Sequence, residues 1–145
     1  MTDEIVVKVK LDNGAVLPEY KTKGSSGLDL CCNESGVINA GLAKLIGTGL
    51  YVEIPKGYEA QVRTRSGVAI NSNVIVLNSP GTIDSDYRGE IKLILMNFGK
   101  EQFLYSYGDR LAQLVFNRVI RATLVVSDNL TDTERGYGGF GHTGI

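Results

Sequence analysis

The sequence predicts an all-β fold, a jelly-roll-like antiparallel β-barrel or sandwich that ends in a flexible glycine-rich C-terminal arm. Three observations predict it. Short apolar stretches rich in β-branched residues recur at close spacing, 18 glycines supply tight turns between them, and no stretch keeps a sustained 3.6-residue apolar stripe. A chain of 145 residues can bury one core without disulfides or a structural metal.

The first element is the run Ile5-Val6-Val7-Lys8-Val9-Lys10-Leu11, in which Ile5, Val7, Val9 and Leu11 share one face and both lysines the other, the pattern of a half-buried strand. Asp12-Asn13-Gly14 ends it with residues that tolerate positive φ. Further strands are expected over 44–47, 50–54, 58–62, 74–77, 90–97, 111–118 and 123–126. Pro55-Lys56-Gly57 and Phe98-Gly99-Lys100-Glu101 form turns, and 66–71 holds one or two helical turns. The character changes after about Asp128, where five of the last ten residues are glycine. That tail buries too little apolar surface to order itself, so the chain divides into a β-rich core over 1–127 and an arm over 128–145. The arm nevertheless carries an arginine, aromatic rings, hydroxyls and an imidazole, the groups of a segment that folds over a phosphorylated ligand.

Composition narrows the partners. With 15 basic and 16 acidic residues the net charge is −1, so no broad basic surface recruits nucleic acid. Cys31 and Cys32 are adjacent and point to opposite faces of a strand, which excludes a bridge between them; one thiol is expected to pack inside. His142 is the single histidine, so no metal-ligand spacing exists. The start Met1-Thr2-Asp3-Glu4 lacks an apolar signal core, and no apolar run approaches the roughly 18 residues of a membrane span. A soluble, cytoplasmic protein is expected.

Chemistry concentrates in a few stretches. Gly81-Thr82-Ile83-Asp84-Ser85-Asp86-Tyr87-Arg88-Gly89 places two carboxylates, a phenol and an arginine between apolar strands. Standing alone it reads as a surface hairpin. Functionally, one carboxylate takes a proton from water while the phenol packs on a sugar or base, and spacing does not choose between Asp84 and Asp86. Arg63-Thr64-Arg65-Ser66-Gly67-Val68-Ala69 can offer guanidinium, hydroxyl and backbone N–H groups to phosphate, although its spacing matches no P-loop. Gly24-Ser25-Ser26-Gly27-Leu28-Asp29-Leu30 sets a carboxylate between leucines, where it needs a partner or water. Gly108-Asp109-Arg110-Leu111-Ala112-Gln113-Leu114 sets Arg110 and Gln113 at the head of an apolar strand. For either stretch a structural ion pair is the simpler reading.

These four stretches, with the terminal Arg135-Gly136-Tyr137-Gly138-Gly139-Phe140-Gly141-His142-Thr143-Gly144, resemble in order and spacing the five motifs of the trimeric deoxyuridine triphosphatase family, over residues 24–144. The resemblance implies a jelly-roll homotrimer in which each site draws on all three subunits. It implies magnesium-dependent hydrolysis of dUTP to dUMP and pyrophosphate by in-line water attack on the α-phosphate, which limits uracil incorporation into DNA and supplies dUMP for thymidylate synthesis. Asp84 is then the general base, and Asp86 a turn or ion-pair residue. Tyr87 is the ring under the deoxyribose that leaves no room for a 2′-hydroxyl. Asn78 reads the uracil edge, completed by backbone groups of Gly81, Thr82, Ile83 and Lys92. Arg65, Ser66, Gly67 and Gln113 bind the phosphates, with Arg110 as a further candidate, and Asp29 reaches Mg²⁺ through water. On the arm, Arg135 pairs with the γ-phosphate, Phe140 stacks over uracil, and Gly141 and Thr143 close on the phosphates. His142 stands where many relatives carry serine and is assigned no catalytic role. Two alternatives accompany this reading: a dCTP deaminase of the same fold, and a non-catalytic nucleotide-responsive regulator. No direct nucleic-acid or membrane partner is implied.

Overall fold

The computed structural model describes residues 4–144; Met1, Thr2, Asp3 and Ile145, at the outer ends of the two expected units, lie outside the described residues. The strands are β1 (Lys8–Leu11), β2 (Leu28–Cys31), β3 (Gly36–Ile38), β4 (Ala43–Glu53), β5 (Tyr58–Arg63), β6 (Val74–Val76), β7 (Gly81–Ile83), β8 (Ile91–Asn97), β9 (Phe103–Tyr105) and β10 (Arg110–Arg118); the helix α1 spans Ser66–Ser72. They form one four-stranded sheet of order β1-β4-β8-β6, a second of order β2-β10-β5-β7, and the small pair β3-β9. Every strand pairing is antiparallel. The all-β expectation stands. The barrel alternative does not, because the sheets remain separate ladders and do not close.

Alternation explains how the two large sheets share one core. Along β8, Ile91, Leu93 and Leu95 point inward and are buried while Lys92 faces out; along β10, Ala112 and Leu114 do the same from the opposite sheet, and Leu111 is buried too where the register with β2 shifts. Leu30, Ile46, Leu50, Val62 and Val74 join them in a single cluster. Each fully buried Leu or Ile contributes about 1.5–3 kcal/mol, so this cluster is the main source of stability. Two polar side chains are fully buried, Thr48 and Asn97. Asn97 donates through Nδ2 to the carbonyls of Ile38 (2.9 Å) and Glu101 (2.8 Å), and its Oδ1 accepts from Gly99 N–H (2.8 Å). These bonds offset the burial of its amide and tie β8 to β3 and to the following turn. Cys32 is buried and Cys31 partly so, and both are free thiols. Burial pushes both thiols up, towards the protonated and unreactive form.

Several expected elements are corrected. The first strand covers only Lys8–Leu11, and Val9 and Leu11 are exposed, because β1 is an edge strand with β4 as its neighbour. The stretches 44–47 and 50–54 are one strand, β4, whose register with β8 shifts between Gly47 and Leu50. Residues 123–126 form no strand: β10 ends at Arg118, and Leu124, Val125 and Val126 are exposed with no ladder beside them. Period-two patterning reports a strand's capacity to pair and says nothing of whether a partner strand is present. The short strands β3, β7 and β9 were not foreseen. Over 66–71 the expected helical turns are α1, which ends on Asn73 in the left-handed conformation (φ 55°).

Candidate active site

The segment between β6 and β8 carries six of the candidate residues, Asn78, Gly81, Thr82, Ile83, Asp84 and Tyr87. β6 and β8 are antiparallel neighbours, and between them the chain reaches over to the second sheet, where β7 adds to the free edge of β5. Register pairs Ile83 with Ala60, Thr82 with Gln61 and Gly81 with Val62. The turn that follows is closed by Tyr87 N–H donating to the Asp84 carbonyl (3.1 Å). Arg88 fastens it from outside, donating through Nη1 to the carbonyls of Ser85 (2.7 Å) and Tyr87 (3.1 Å) while Nη2 lies 3.7 Å from Glu53. Arg88 thus pairs with Glu53 rather than with Asp86.

The result is a cavity of about 360 Å³ at the junction of β4, β7 and β8, in which Thr82, Ile83, Asp84, Tyr87 and Lys92 come together. Gly81 adjoins it on β7, and Asn78 lies over Gly81: a Cβ there would meet Asn78 Nδ2 at 3.1 Å. Among the described residues no hydrogen bond or ion pair engages the Asp84 carboxylate, so its lone pairs are open to the cavity. The Tyr87 ring is 41% exposed, and its hydroxyl donates to the Glu90 carbonyl (2.7 Å). Leu45, Glu90 and Ile94 also line the cavity and were missed. A signal for two of them existed. If Ile91, Leu93 and Leu95 are buried, period two places Glu90, Lys92 and Ile94 together on the other face of β8.

A second cluster lies on β2, β10 and the residues after β5. β10 pairs with both strands, so Asp29, Gln113 and Arg63 lie side by side across the sheet. Asp29, with only 13% of its side chain exposed, holds two guanidinium groups: Arg65 Nε at 3.4 Å and Arg110 Nη1 at 2.9 Å. Arg65 also donates to the Arg110 carbonyl (2.7 Å), and Gln113 Nε2 donates to the Thr64 carbonyl (3.0 Å). Ser66 and Gly67 open α1 with no side-chain cap, and both are exposed. The pairing fixes Arg65 and Arg110 side by side with net positive charge, an arrangement suited to phosphate oxygens.

Within one chain these two clusters are apart. β7 runs antiparallel to β5, and continuing its register puts Asp84 beside Glu59. Both line a groove with Tyr58, at the start of β5, whereas Arg65 follows its end. From position 59 to position 65 an extended chain advances roughly 20 Å. The arm residues Arg135, Phe140, Gly141, His142 and Thr143 belong to neither cluster: residues 119–144 form no strand or helix, and Phe140 is wholly exposed. Arg135 Nε donates within the arm, to the Gly138 carbonyl (2.8 Å). Among the described residues no group of three His, Cys, Asp or Glu side chains gathers that could hold a metal ion, and no helix is long and apolar enough to cross a membrane.

Comparison with known proteins agrees with this architecture. The chain is 49% identical over 146 residues to the deoxyuridine 5′-triphosphate nucleotidohydrolase of Thermoanaerobacter sp. (strain X514), covering 97% of this chain and 99% of that one. Its fold superposes with a TM-score of 0.86 on a dUTPase of Staphylococcus bacteriophage 80alpha solved with dUpNHpp, at 27% identity over 97% of this chain and 99% of the other. A TM-score of 0.81 relates it to the dUTPase of phage phi11 of S. aureus, at 23% identity over 88% of this chain and 100% of that chain, a protein in which a structural Mg(II) ion is coordinated. A family model described as dUTPase matches residues 13–144, and with these relatives it establishes that the chain belongs to the dUTPase family.

Proposed function

We propose that this protein hydrolyses dUTP to dUMP and pyrophosphate. The observation that carries the reading is the unpaired Asp84 carboxylate, held in one cavity with the Tyr87 ring, Thr82, Ile83 and Lys92. A carboxylate so placed can accept a proton from water as that water attacks the α-phosphorus, and pyrophosphate then leaves. The Tyr87 ring floors the deoxyribose, where a 2′-hydroxyl would clash. Asn78 and the backbone of Gly81, Thr82, Ile83 and Lys92 read the uracil edge, and tight walls exclude the thymine methyl by clash rather than by lost contact. Arg65, Ser66, Gly67 and Gln113, with Arg110, neutralise and orient the phosphate chain.

Magnesium fits as an ion that arrives with the triphosphate. Asp29 already faces two guanidinium groups, so it would reach the ion only through water, and the ion would be held mainly by phosphate and water oxygens. When bound it supplies charge neutralisation on the phosphates.

The separation of the two clusters supports a homotrimer with shared sites. If a single chain cannot bring Asp84 and Arg65 to the same nucleotide, a second chain must supply one of them. The arm over 128–145, with the exposed apolar stretch before it, is then the part that crosses to another subunit and brings Arg135, Phe140, Gly141 and Thr143 to close over a site built on the 1–127 cores. The jelly-roll description suits the two facing sheets. Two free thiols suit a cytoplasmic setting.

The test is pyrophosphate release from dUTP, dCTP, dTTP and UTP, with Mg²⁺ and with a chelator. Release from dUTP alone, lost on chelation, is the expected result. Ammonia from dCTP would make the protein a deaminase, and no turnover of any nucleotide would make it a regulator.

A further inference from the structure

The pocket wall holds a carboxylate with no role in the reaction just described. Glu90 lines the cavity, forms no ion pair within 4 Å among the described residues, and directs Oε2 to the backbone N–H of Gly49 (3.1 Å). That N–H is available only because β4 departs from its ladder. Gly47 pairs with Lys92 and Leu50 with Ile91, so Thr48 and Gly49 have no partners of their own on β8. Thr48 Oγ1 closes the irregularity, donating to the Ile91 carbonyl and accepting from Leu50 N–H (3.2 Å). Gly49 sits at φ +68°, a Cβ there would meet Asn33 Nδ2 at 2.7 Å and Ala15 Cβ at 2.8 Å, and one on Gly47 would meet Glu90 Oε2 at 2.7 Å. The bulge is therefore shaped around the Glu90 carboxylate: a side chain at Gly49 would be strained, and one at Gly47 would push the carboxylate aside.

The other end of the same residue reaches the sugar side of the cavity. The Glu90 carbonyl accepts from the Tyr87 hydroxyl (2.7 Å). A Cβ on Gly89 would fall 2.5 Å from that hydroxyl oxygen and 2.7 Å from Cζ. The tip of the ring thus lies against residue 89 and is anchored to residue 90, whose side chain is in turn anchored to β4. An exposed aromatic ring on a turn has no other means of holding one orientation, because packing does not confine it.

We propose that Glu90 is a positioning residue for Tyr87: bonded to the Gly49 bulge, it fixes the carbonyl that sets the ring at the height which rejects a 2′-hydroxyl. The inference rests on the reading of Tyr87 as the floor of the deoxyribose. A backbone device of this kind is rigid at the one place where rejection by clash needs rigidity, since a wall that yields by a few tenths of an ångström no longer excludes one oxygen atom.

The experiment compares kcat/KM for dUTP and for UTP in the wild type, Tyr87→Phe, Glu90→Ala, Glu90→Gln, Tyr87→Ala and the Tyr87→Phe/Glu90→Ala pair. Tyr87→Phe cuts the anchor at the ring, and Glu90→Ala cuts it at the bulge. Each should lower the dUTP/UTP ratio by about fivefold, the factor that one lost neutral hydrogen bond represents. Glu90→Gln keeps an oxygen for Gly49 N–H and should keep the ratio. The paired variant should lose no more than either single one, because both cut the same connection. A merely structural role would depress both substrates together and leave the ratio alone. An unchanged ratio in Glu90→Ala alongside a lowered one in Tyr87→Ala would overturn the proposal, as would a fall in Glu90→Gln equal to that in Glu90→Ala. An unchanged ratio in Tyr87→Ala itself would instead remove the reading of Tyr87 on which it rests. Should Glu90→Ala not fold, Tyr87→Phe decides alone: a lowered ratio supports the anchor, and an unchanged one overturns it.

Discussion

Two carboxylates a few strands apart show how neighbours decide what an acid can do. Asp29 lies against Arg65 and Arg110 and is mostly buried: Arg110 Nη1 donates to Oδ2 (2.9 Å) and Arg65 Nε lies 3.4 Å from Oδ1, so its charge is already matched by two cations. Asp84 is exposed, has no such partner among the described residues, and faces a cavity that contains an aromatic ring. Only the second can accept a proton from water without first releasing a cation. Changing Asp84→Asn keeps the shape and removes the basic lone pair; turnover of dUTP should fall by about 10²–10⁴-fold, with the affinity for a non-hydrolysable dUTP analogue, read by calorimetry, little changed. Near-normal turnover would move the base elsewhere. Spacing alone left Asp84 and Asp86 equivalent, and Asp86 lies on the same turn. Asp84 lines the cavity and Asp86 does not, while both line the neighbouring groove.

At the scale of elements, alternation was readable and partners were not. Residues 58–62, 74–77, 90–97 and 111–118 are strands within a residue or two, because their inward faces are continuous runs of Val, Ile and Leu that find a core. Residues 123–126 have the same composition and form no strand, since the capacity to pair is local and the presence of a neighbour is not. The strands β3 and β9 are too short to show a period; Ile38, Phe103 and Tyr105 pack them on the core, and Asn97 ties β3 to β8. Replacing Asn97→Ala strips two donors and one acceptor from backbone partners, of which the Ile38 carbonyl is buried and the other two are partly so. The expected cost is about 2–4 kcal/mol of stability, read by denaturant unfolding at fixed protein concentration. A loss under about 0.5 kcal/mol, the range of an ordinary surface change, would show that water replaces these bonds.

For the whole molecule, the central fact is that Asp84, beside the start of β5, and the arginine pair beyond its end lie at opposite ends of that strand. If sites are shared between subunits, that geometry becomes a complementation test. A chain truncated after Asp132 keeps Asp84 and lacks the arm, whereas a full-length Asp84→Asn chain keeps the arm and lacks the base. Each alone should be nearly inactive while sedimenting as a trimer. Co-expressed, they should recover a measurable fraction of wild-type dUTP turnover, because some mixed sites contain both parts. Absence of recovery, with mixed trimers present, would show that each chain completes its own site.

The sequence by itself determined the all-β class, the positions of the long strands, the pairing need of Asp29 and, through five motifs in order, the family. These depend on local chemistry: residue size, β-branching, alternation, and which side chains can accept a proton or bind phosphate. Only the tertiary structure decided that Glu90 and Leu45 line the cavity, that two apolar stretches merge into β4 through a glycine bulge, and that Asp84 and Arg65 stand far apart in one chain. Those are matters of register between segments distant in sequence. A one-residue change in register turns every side chain of a strand to the opposite face, and nothing local to either strand records which register the other will take.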